Sequence, residues 1–391
     1  MQSENSGEEV KLLEHVELVR SGVKKFTGLK RYVATGSLKT EKIVDCIKVD
    51  YQSRPSRANM EVKENDILFA KMKDTEKVFL ISKEDAENLY STGFAVLRVK
   101  NCKRVLPKYA FFWLRSHYFQ DRKNKECTGA TQKAINESKL KKFWIPIPHI
   151  EQQRKIAATL EKADHLKQWR NESYELADDY LNSVFLKMFG DPINDSKNWG
   201  KRRLKEFGKI VTGNTPSRKR PLYYGDHIEW IKSDNINTPD IFLTRSQEML
   251  SKEGAEVGRT VPKRSVLVTC IAGSLSCIGN VAISDRDVAF NQQINAIVPN
   301  ESVDEFFLYF LMLNSKKYIQ NHSTKAMKGM ISKSVFESLP FIFPPSELQR
   351  KFGSLCKDSL ELKKYQKQSK QKISELCDVL LQKAFGGKLK C

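Results

Sequence analysis

The charged residues around Asp50 come nearer to a catalytic arrangement than any others in this sequence. Asp50 is followed eleven positions later by Glu61, Val62 and Lys63. A metal-dependent nuclease needs acidic ligands for its metal ion and a basic group near the scissile phosphate. The Glu-x-Lys pattern is common by chance, however, and this copy lies at the entry of a predicted strand. A nuclease is therefore kept as an alternative hypothesis.

Other catalytic motifs are missing from the sequence. It contains no GxxxxGK[ST] phosphate loop, no GxGxxG, no HExxH and no Gly-x-Ser-x-Gly elbow. Its six His residues show no ligand spacing, and its eight Cys residues include no CxxC pair. We therefore expect neither a metal site nor a disulfide framework. The residue types indicate a binding protein without catalytic activity or a bound cofactor.

The charge of the chain indicates what it binds. Lys and Arg number 67 and Asp and Glu number 47, which gives a net charge of +20. Such an excess favours a polyanionic partner, most often nucleic acid. No apolar run reaches the ~20 residues of a membrane span, and the first residues are polar and acidic. We expect a cytoplasmic protein with no membrane partner.

Basic, aromatic and amide side chains are concentrated in predicted loops. Lys and Arg neutralise phosphates, whereas Asn, Gln and Arg can also bond to base edges. The DNA-binding candidates in the first half are Lys30, Arg31, Tyr32, Arg54, Arg57, Lys71, Lys73 and Lys133. Those in the second half are Thr215, Ser217, Arg218, Lys219, Arg220, Tyr223, Lys232, Asn291, Gln292, Lys325 and Lys328.

The elements that position these loops occur twice. The stretch from Pro148 to Gly190 returns 196 positions later, from Pro344 to Gly386, without a gap. Upstream of each stretch, matching β-branched runs, among them 94–99 and 294–299, predict strands. Matching aromatic segments at 109–114 and 306–311 predict a helix in each half. A period of about half the chain indicates a duplicated module. Each copy is a mixed globular domain followed by one long helix.

Both long helices carry apolar residues at a spacing of three and four, which predicts a heptad seam. The predicted seam consists of Ile156, Ala163, Leu166, Ala177, Tyr180, Val184, Phe352, Leu355, Leu362, Ile373, Leu376 and Leu380. Residues 151–191 carry six Lys or Arg and eight Asp or Glu, whereas residues 350–391 carry eleven and four. Opposite net charges favour pairing of the two helices. The alternative is that each helix only caps its own domain.

Taken together, these features resemble the specificity subunit of type I restriction–modification systems, over essentially the whole chain. The resemblance is carried by the openings and endings of the two helices and by five segments of the second half. The helix motifs are Pro148–Lys155, Phe189-Gly190, Pro344–Lys351 and Phe385-Gly386. The other segments are Leu204–Ile210, Thr212–Ser217, Tyr224-Gly225, Trp230-Ile231 and Asn291-Gln292.

The resemblance implies two target recognition domains, each binding one half of a bipartite double-stranded DNA sequence, and an antiparallel coiled coil that holds them apart. It also implies partners in a bacterial or archaeal cell: two methyltransferase subunits and the ATP-dependent restriction subunits. S-adenosylmethionine, ATP and Mg²⁺ would be bound by those partners, and adenine N6 would be the methylated atom. This chain would bind no cofactor.

The predicted fold class is therefore α+β, a pseudo-two-fold tandem repeat of two mixed α/β recognition domains with two long helices. The predicted parts are a first domain at 1–146, a helix at 147–191, a second domain at 192–343 and a helix at 344–391. A helix of about 37 residues is ~55 Å long, or about 16 base pairs of duplex. We expect the helices to set the gap between the half-sites. Besides a nuclease, a coiled-coil adaptor that binds only protein remains an alternative.

Overall fold

The computed structural model describes residues 8–39, 42–324 and 329–386, without the side chains of residues 174, 175 and 177–179. The chain forms two compact units. Unit 1 comprises Met1–Asn171 and Gln368–Cys391, and unit 2 comprises Glu172–Lys367.

Unit 1 is a mixed α/β structure. Its described strands are β1 (Glu8–Lys11), β2 (Val16–Leu18), β3 (Lys30–Val33), β4 (Leu38–Lys39), β5 (Lys42–Ile43), β6 (Ile47–Val49), β7 (Ala58–Met60), β8 (Ile67–Ala70), β9 (Val78–Leu80), β10 (Leu89–Ser91), β11 (Phe94–Val99) and β12 (Trp144–Ile147). Its short helices are α1 (Leu12–His15), α2 (Pro107–Arg115), α3 (His117–Glu126) and α4 (Glu137–Leu140). The long helix α5 (Ile150–Phe189) starts in unit 1 and ends in unit 2.

Unit 2 contains a second set of the same kinds of element. Its described strands are β13 (Lys201–Arg203), β14 (Gly208–Thr212), β15 (Tyr224–Ile231), β16 (Met249–Leu250), β17 (Thr260–Val261), β18 (Val266–Thr269), β19 (Ile271–Ala272), β20 (Val281–Ile283), β21 (Val288–Phe290), β22 (Ile294–Pro299), β23 (Gly329–Met330) and β24 (Pro340–Ile342). Its short helices are α6 (Lys252–Val257), α7 (Glu305–Asn314), α8 (Lys316–Asn321) and α9 (Lys333–Ser338). The long helix α10 (Ser346–Phe385) starts in unit 2 and ends in unit 1.

The two units share one sheet topology. In unit 1 the main sheets have the strand orders β2-β11-β8-β9 and β6-β3-β10-β7, and in unit 2 the corresponding orders are β14-β22-β18-β20 and β16-β15-β21-β17. In each unit one pair in the second sheet is parallel, β3 with β10 and β15 with β21. A two-stranded sheet joins the start of each unit to the strand before its long helix, β1 with β12 and β13 with β24. The prediction of a duplicated mixed α/β domain is confirmed.

Alternation along the central strand of the first sheet builds a three-layer core. In β8, Ile67 and Phe69 pack in the cluster that contains the aromatic helix α2, whereas Leu68 and Ala70 pack in the cluster facing the second sheet. All four side chains are buried. Successive side chains of a strand point to opposite faces. A strand that is covered on both faces therefore has an unbroken run of apolar residues in the sequence. The apolar strand β18 is buried in the same way in unit 2.

The glutamine of the repeated helix motif is a structural residue. Gln153 is fully buried; its Oε1 accepts a hydrogen bond from the N–H of Leu106, the residue before α2, at 2.9 Å, and its Nε2 donates to the carbonyl of Pro148 at 2.9 Å. Gln349 repeats both contacts in unit 2, with the residue before α7 and with Pro344. Each glutamine therefore ties the start of a long helix to the start of the aromatic helix in the same unit.

Within each unit, parts of the two long helices pack side by side. In unit 1, the thiol of Cys377 donates to the carbonyl of Ala163 at 3.5 Å, and Ile156 lies in one apolar cluster with Phe385. In unit 2, the rings of Phe189 and Phe352 lie 5.6 Å apart. As the residue number rises along α5, the number of its partner on α10 falls, so the paired segments are antiparallel. Gly190 follows α5 with φ +79°, the left-handed conformation that commonly ends a helix.

The buried stripe of the long helices differs from the predicted seam at five positions. Three predicted residues are buried (Ile156, Ala163 and Phe352) and three are half-buried (Val184, Ile373 and Leu380). Exposed instead are Leu166, Tyr180, Leu355, Leu362 and Leu376. Ala177 lies outside the side chains that the structure describes.

At these five positions the buried stripe lies one residue after the predicted seam. At each of the five exposed positions the following residue is less exposed: Lys167, Leu181, Cys356, Lys363 and Cys377. The stripe advances by four and then three residues where the prediction advanced by three and then four. Where an apolar residue precedes a small one, as in Leu355-Cys356, spacing alone cannot choose between them. The small thiol fits where the helix packs closely, and leucine stays outside.

Across the described ranges, neither the two long helices nor the shorter ones have the length and apolar character that a membrane crossing requires.

Candidate nucleic-acid interface

The loop between β14 and β15 carries six of the predicted DNA contacts, and its neighbours fix its position. At its start, the side-chain amide of Asn214 donates to the carbonyl of Val257 at 2.9 Å, and its oxygen accepts from the Arg259 N–H at 2.7 Å. The hydroxyl of Tyr224 donates to the carbonyl of Pro216 at 2.6 Å. The loop is therefore held at both ends by hydrogen bonds. The candidates it presents are Thr215, Ser217, Arg218, Lys219, Arg220 and Tyr223.

The turn after β21 lies against this loop. The hydroxyl of Thr215 donates to the side-chain oxygen of Gln292, and both residues are exposed. Asn291, in contrast, is only 7% exposed. Its Nδ2 donates to the side-chain oxygen of Gln293 at 3.0 Å, and its backbone N–H donates to the carbonyl of Ile231. Thus Thr215 and Gln292 come together at the surface, but Asn291 orders the turn and is not a base contact.

Arg218 of this loop and the candidate Lys232 meet at one carboxylate. Arg218 Nη2 lies 2.6 Å from Glu248 Oε2, and Lys232 Nζ bonds to the other oxygen, Oε1. The Arg218 guanidinium lies 4.7 Å from the ring centroid of Tyr224 and 5.3 Å from that of Trp230. The hydrogen bond from Lys232, and then that from Arg218, lowers the pKa of Glu248. We call these five residues the Glu248 cluster.

The remaining candidates of unit 2 are more solvent-exposed. Arg220 is exposed and its Nη1 lies 2.8 Å from the hydroxyl of the half-buried Tyr223. Ser217 and Lys219 are exposed at the tip of the loop. Their positions leave them accessible to a phosphate backbone. Lys325 and Lys328 lie outside the residues that the structure describes.

A buried carboxylate next to Trp230 stabilises this part of unit 2. Glu229 accepts two hydrogen bonds from Arg286, at 2.8 and 2.6 Å, one from Arg245 at 2.6 Å and one from the Ser246 N–H at 2.9 Å. Burial alone would raise the pKa of Glu229, but these hydrogen bonds outweigh it and lower the pKa to about 2. Glu229 is therefore ionised at neutral pH and joins strand β15 to two neighbouring loops.

In unit 1, two predicted cations lie over a pair of aromatic rings. The rings of Phe26 and Tyr51 are 5.7 Å apart at an interplanar angle of 86°. Lys30 Nζ lies 5.1 Å from the Phe26 centroid, and the Arg54 guanidinium lies 4.0 Å from that of Tyr51. These contacts use the π faces of the rings and leave the cations at the surface. The candidates Lys30 and Arg54 are thus brought together.

Neighbouring candidates of β3 have different surroundings. Arg31 is exposed and donates from Nε to the thiol of Cys46 at 3.0 Å. Tyr32 is only 8% exposed and packs with Val49, Ala58 and Leu89. The assignment of Tyr32 as a DNA contact is therefore corrected, because successive residues of a strand face opposite sides and Tyr32 faces the core.

Three lysines of unit 1 lie around one irregular ladder. The Lys73 N–H donates to the carbonyl of Lys133 at 2.9 Å, and the Ile135 N–H donates to that of Lys71 at 2.9 Å. Lys73 and Lys133 are exposed, whereas Lys71 is half-buried and its burial lowers its pKa. The same ladder in unit 2 places Cys270 where unit 1 has Lys71, since the Ile331 N–H donates to the Cys270 carbonyl at 2.9 Å.

One arginine was missed by the sequence analysis. The carbonyl of Arg57 accepts from the Thr92 N–H at 2.9 Å, and the carbonyl of Arg259 accepts from the Phe290 N–H at 3.3 Å. Both arginines are exposed and directly precede equivalent strands, β7 and β17. Arg57 was among the candidates and Arg259 was not. Extending the alignment of the two copies into this short strand would have identified it.

The nuclease hypothesis finds no support in the geometry. The carboxylate of Asp50 accepts hydrogen bonds from the N–H of Ser53, from its hydroxyl and from the N–H of Gln52, each at 2.8 Å, and these bonds lower its pKa. Asp50 therefore caps a turn. Among the residues placed by the structure, no group of three or more His, Cys, Asp or Glu could hold a metal ion.

Comparison with known proteins identifies one family. A family model described as "Type I restriction modification DNA specificity domain" matches twice, over residues 17–175 and 196–375. The chain is 21% identical, over 442 aligned positions, to the type I restriction enzyme HindI specificity subunit of Haemophilus influenzae, with 92% of this chain and 94% of that protein covered.

Solved structures show the same fold. One, from a study of complex assembly and conformational transition of the type I R-M system, matches with a TM-score of 0.63 at 20% identity, covering 98% of both chains. Another, the type I restriction–modification S subunit from M. genitalium, matches with a TM-score of 0.56 at 16% identity, also covering 98% of both chains.

Proposed function

The chain belongs to the type I restriction–modification DNA specificity family, and we propose that it selects the DNA sequence on which a type I restriction–modification complex acts. The observation that carries the proposal is the repetition of one two-sheet scaffold with different surface side chains. Since the backbone positions are equivalent, the differences lie in the residues that a ligand would contact. Such a chain can present two different recognition surfaces to one duplex.

Equivalent positions of the two units carry different side chains. Tyr32 and Trp230 are equivalent. Each lies on a strand of the second sheet that forms a parallel pair, β3 with β10 in unit 1 and β15 with β21 in unit 2. Lys71 of unit 1 corresponds to Cys270 of unit 2. Each unit also has cations held over aromatic rings at its surface. We infer that each unit binds one half of a bipartite double-stranded target.

Catalysis would come from partner subunits. Type I systems methylate adenine N6 and cut DNA at the expense of ATP, and we assign S-adenosylmethionine to two methyltransferase subunits and ATP with Mg²⁺ to the restriction subunits. This chain would bind none of these cofactors. A role in acting on chromosomal and incoming DNA would place it in the cytoplasm of a bacterium or archaeon.

The long helices would set the gap in the target. Both α5 and α10 contain 40 residues, which corresponds to about 60 Å of helix. Half-sites on one duplex must be met at a fixed distance and helical phase. A helix pair of constant length meets that requirement, whereas a flexible linker would not. The exposed faces of the same helices are where we place the docking of partner subunits.

The test is to co-express the chain with a methyltransferase subunit of a type I system and to map N6-methyladenine across the host genome. We expect methylation at a split motif that disappears when this chain is omitted. A complex that forms but adds no methylation would contradict the proposal. The protein-only adaptor makes the opposite prediction for DNA: the complex would show no retention on duplex DNA that weakens with rising salt, whereas phosphate contacts require such retention.

A further inference from the structure

The Glu248 cluster holds one arginine in a fixed orientation at the surface of unit 2. Each oxygen of the Glu248 carboxylate bonds to one cation, Oε2 to Arg218 and Oε1 to Lys232. Because Lys232 occupies Oε1, Arg218 is held through a single nitrogen, Nη2. Among the described residues Glu248 is the one hydrogen-bond acceptor of Arg218, and it uses one N–H of Nη2. The second N–H of Nη2 and those of Nε and Nη1 remain available, so a parallel pair of donors can still be formed. The Arg218 side chain is 57% exposed.

The aromatic rings complete the restraint. The guanidinium of Arg218 lies within 5.3 Å of both ring centroids, Tyr224 and Trp230. Each ring is fixed in turn, because Trp230 Nε1 donates to the carbonyl of Asn214 at 3.2 Å and the Tyr224 hydroxyl donates to that of Pro216 at 2.6 Å. The guanidinium is therefore restrained by contact with two rings and by a hydrogen bond to one carboxylate.

A phosphate contact does not require such a restraint. A flexible lysine is sufficient to neutralise a phosphate, and Lys219 stands exposed on the same loop. A planar guanidinium with two donors fixed in direction matches the paired acceptors O6 and N7 of guanine in the major groove. We propose that Arg218 contacts a guanine in the half-site bound by unit 2, and that Glu248 and Lys232 position it for that contact. The inference rests on the function proposed above.

The cluster belongs to one unit, which makes the effect specific to one half-site. The Trp230 N–H bonds to the Glu248 carbonyl across β15 and β16. In unit 1 the equivalent partner of Tyr32 is Ile47, which is 55% exposed. Ala34 stands where unit 2 has Lys232, two residues after the equivalent aromatic side chain. At these two described positions unit 1 has neither the carboxylate nor the second cation, so only the half-site of unit 2 should depend on the cluster.

The test uses the complex with its methyltransferase subunits and a plasmid library in which every base pair of both half-sites is varied. Methylation is measured for each sequence with the wild type and with three variants. Arg218→Met keeps an apolar stem over the rings and removes the donors. Glu248→Gln keeps the shape and removes the charge. Lys219→Met is the matched control, because it makes the same kind of change at the next residue.

We expect Arg218→Met to reduce the preference for guanine at one position of one half-site by about tenfold or more. Glu248→Gln should weaken the same preference by a smaller factor, and all other positions should keep theirs. Lys219→Met should leave every preference unchanged. Thermal unfolding checks that each variant is folded. If the loss of Arg218 disturbs the loop, Glu248→Gln still measures the preference for the same guanine with Arg218 present.

Three results would overturn the inference. A loss with Arg218→Met that is equal for all sequences would make Arg218 a phosphate contact. An unchanged guanine preference in Arg218→Met would remove its role altogether, and an unchanged preference in Glu248→Gln would remove the positioning role. In all three cases the wild type still methylates a split target. A wild-type complex without sequence-dependent methylation would instead refute the proposed function itself.

Discussion

Replacing Glu229 by glutamine should destabilise unit 2, and the loss should depend on pH. Glu229 is 9% exposed and accepts hydrogen bonds from Arg286, Arg245 and the backbone of Ser246. Glutamine keeps the shape but cannot balance the positive charge of Arg286, whose side chain is only 19% exposed. Removing one partner of a buried ion pair costs more than removing a surface pair, because the other charge stays desolvated.

The magnitude follows from the pKa. The value for Glu229 falls from 4.5 to about 2, since hydrogen bonds from the two arginines and Ser246 outweigh the opposing effect of burial. At about 1.4 kcal/mol per pKa unit, ionised Glu229 contributes about 3 kcal/mol to the free energy of unfolding at neutral pH. Because the folded-state pKa is lowered, this contribution is complete above the unfolded-state value and is lost as pH falls towards 2. At pH 3 about 1 kcal/mol should remain.

Hydrogen exchange of β15 and its neighbours measures this contribution within unit 2, which a global unfolding curve of a two-unit chain would not. We expect Glu229→Gln to speed exchange of these amides at pH 7, by an amount equal to about 3 kcal/mol of opening free energy, and by much less at pH 3. Glu256→Gln, an exposed change on the adjacent helix α6, is the control. An equal difference at both pH values, or none at pH 7, would refute the reasoning.

Three further predictions concern the helices and the phosphate contacts. Replacing buried Gln153 by leucine should lower the opening free energy of unit 1 by about 2–4 kcal/mol, because buried groups lose their partners. Arg154→Ala, an exposed change one residue later, should cost under about 0.5 kcal/mol. Hydrogen exchange of α2 and of the start of α5 measures both changes. Inserting seven residues into both α5 and α10 should change the preferred gap between half-sites in a spacer library but not the half-sites, and an unchanged gap would contradict the helix-length argument. Arg57→Ala and Arg259→Ala should each weaken DNA binding about equally for all sequences and reduce the salt slope by about 1, measured by titration at several salt concentrations; a sequence-selective loss would contradict a phosphate contact.

Regular apolar patterns gave the main elements of the fold correctly. The run at 94–99 became β11 and its counterpart at 294–299 became β22. The aromatic segments became α2 and α7, and the two repeated stretches at 148–190 and 344–386 became α5 and α10. Such patterns are local, because an apolar run of six residues or a helix of forty is specified by its own side chains and by the burial they require. The duplication then predicted that both units have one topology.

The candidate surface was predicted less completely. The loop at 215–223 and the turn at Gln292 were found from composition, and the structure places them together. Composition could not show that Tyr32 and Asn291 are buried, because basic and polar loops continue into strands whose facing is set by pairing. It also could not show that Arg218 and Lys232 share one carboxylate.

By itself, the sequence determined the repeat, the element types, the basic character of the surface loops and the family. These properties depend on residue identity and on spacing along the chain. Only the tertiary structure decided which member of Leu355-Cys356 enters the stripe between the helices, and which glutamate meets Arg218. Both outcomes depend on contacts between residues distant in sequence: Arg218 and Glu248 are 30 positions apart and meet because β15 pairs with β16. Spacing along the chain carries no information about such a meeting until the strands are in register.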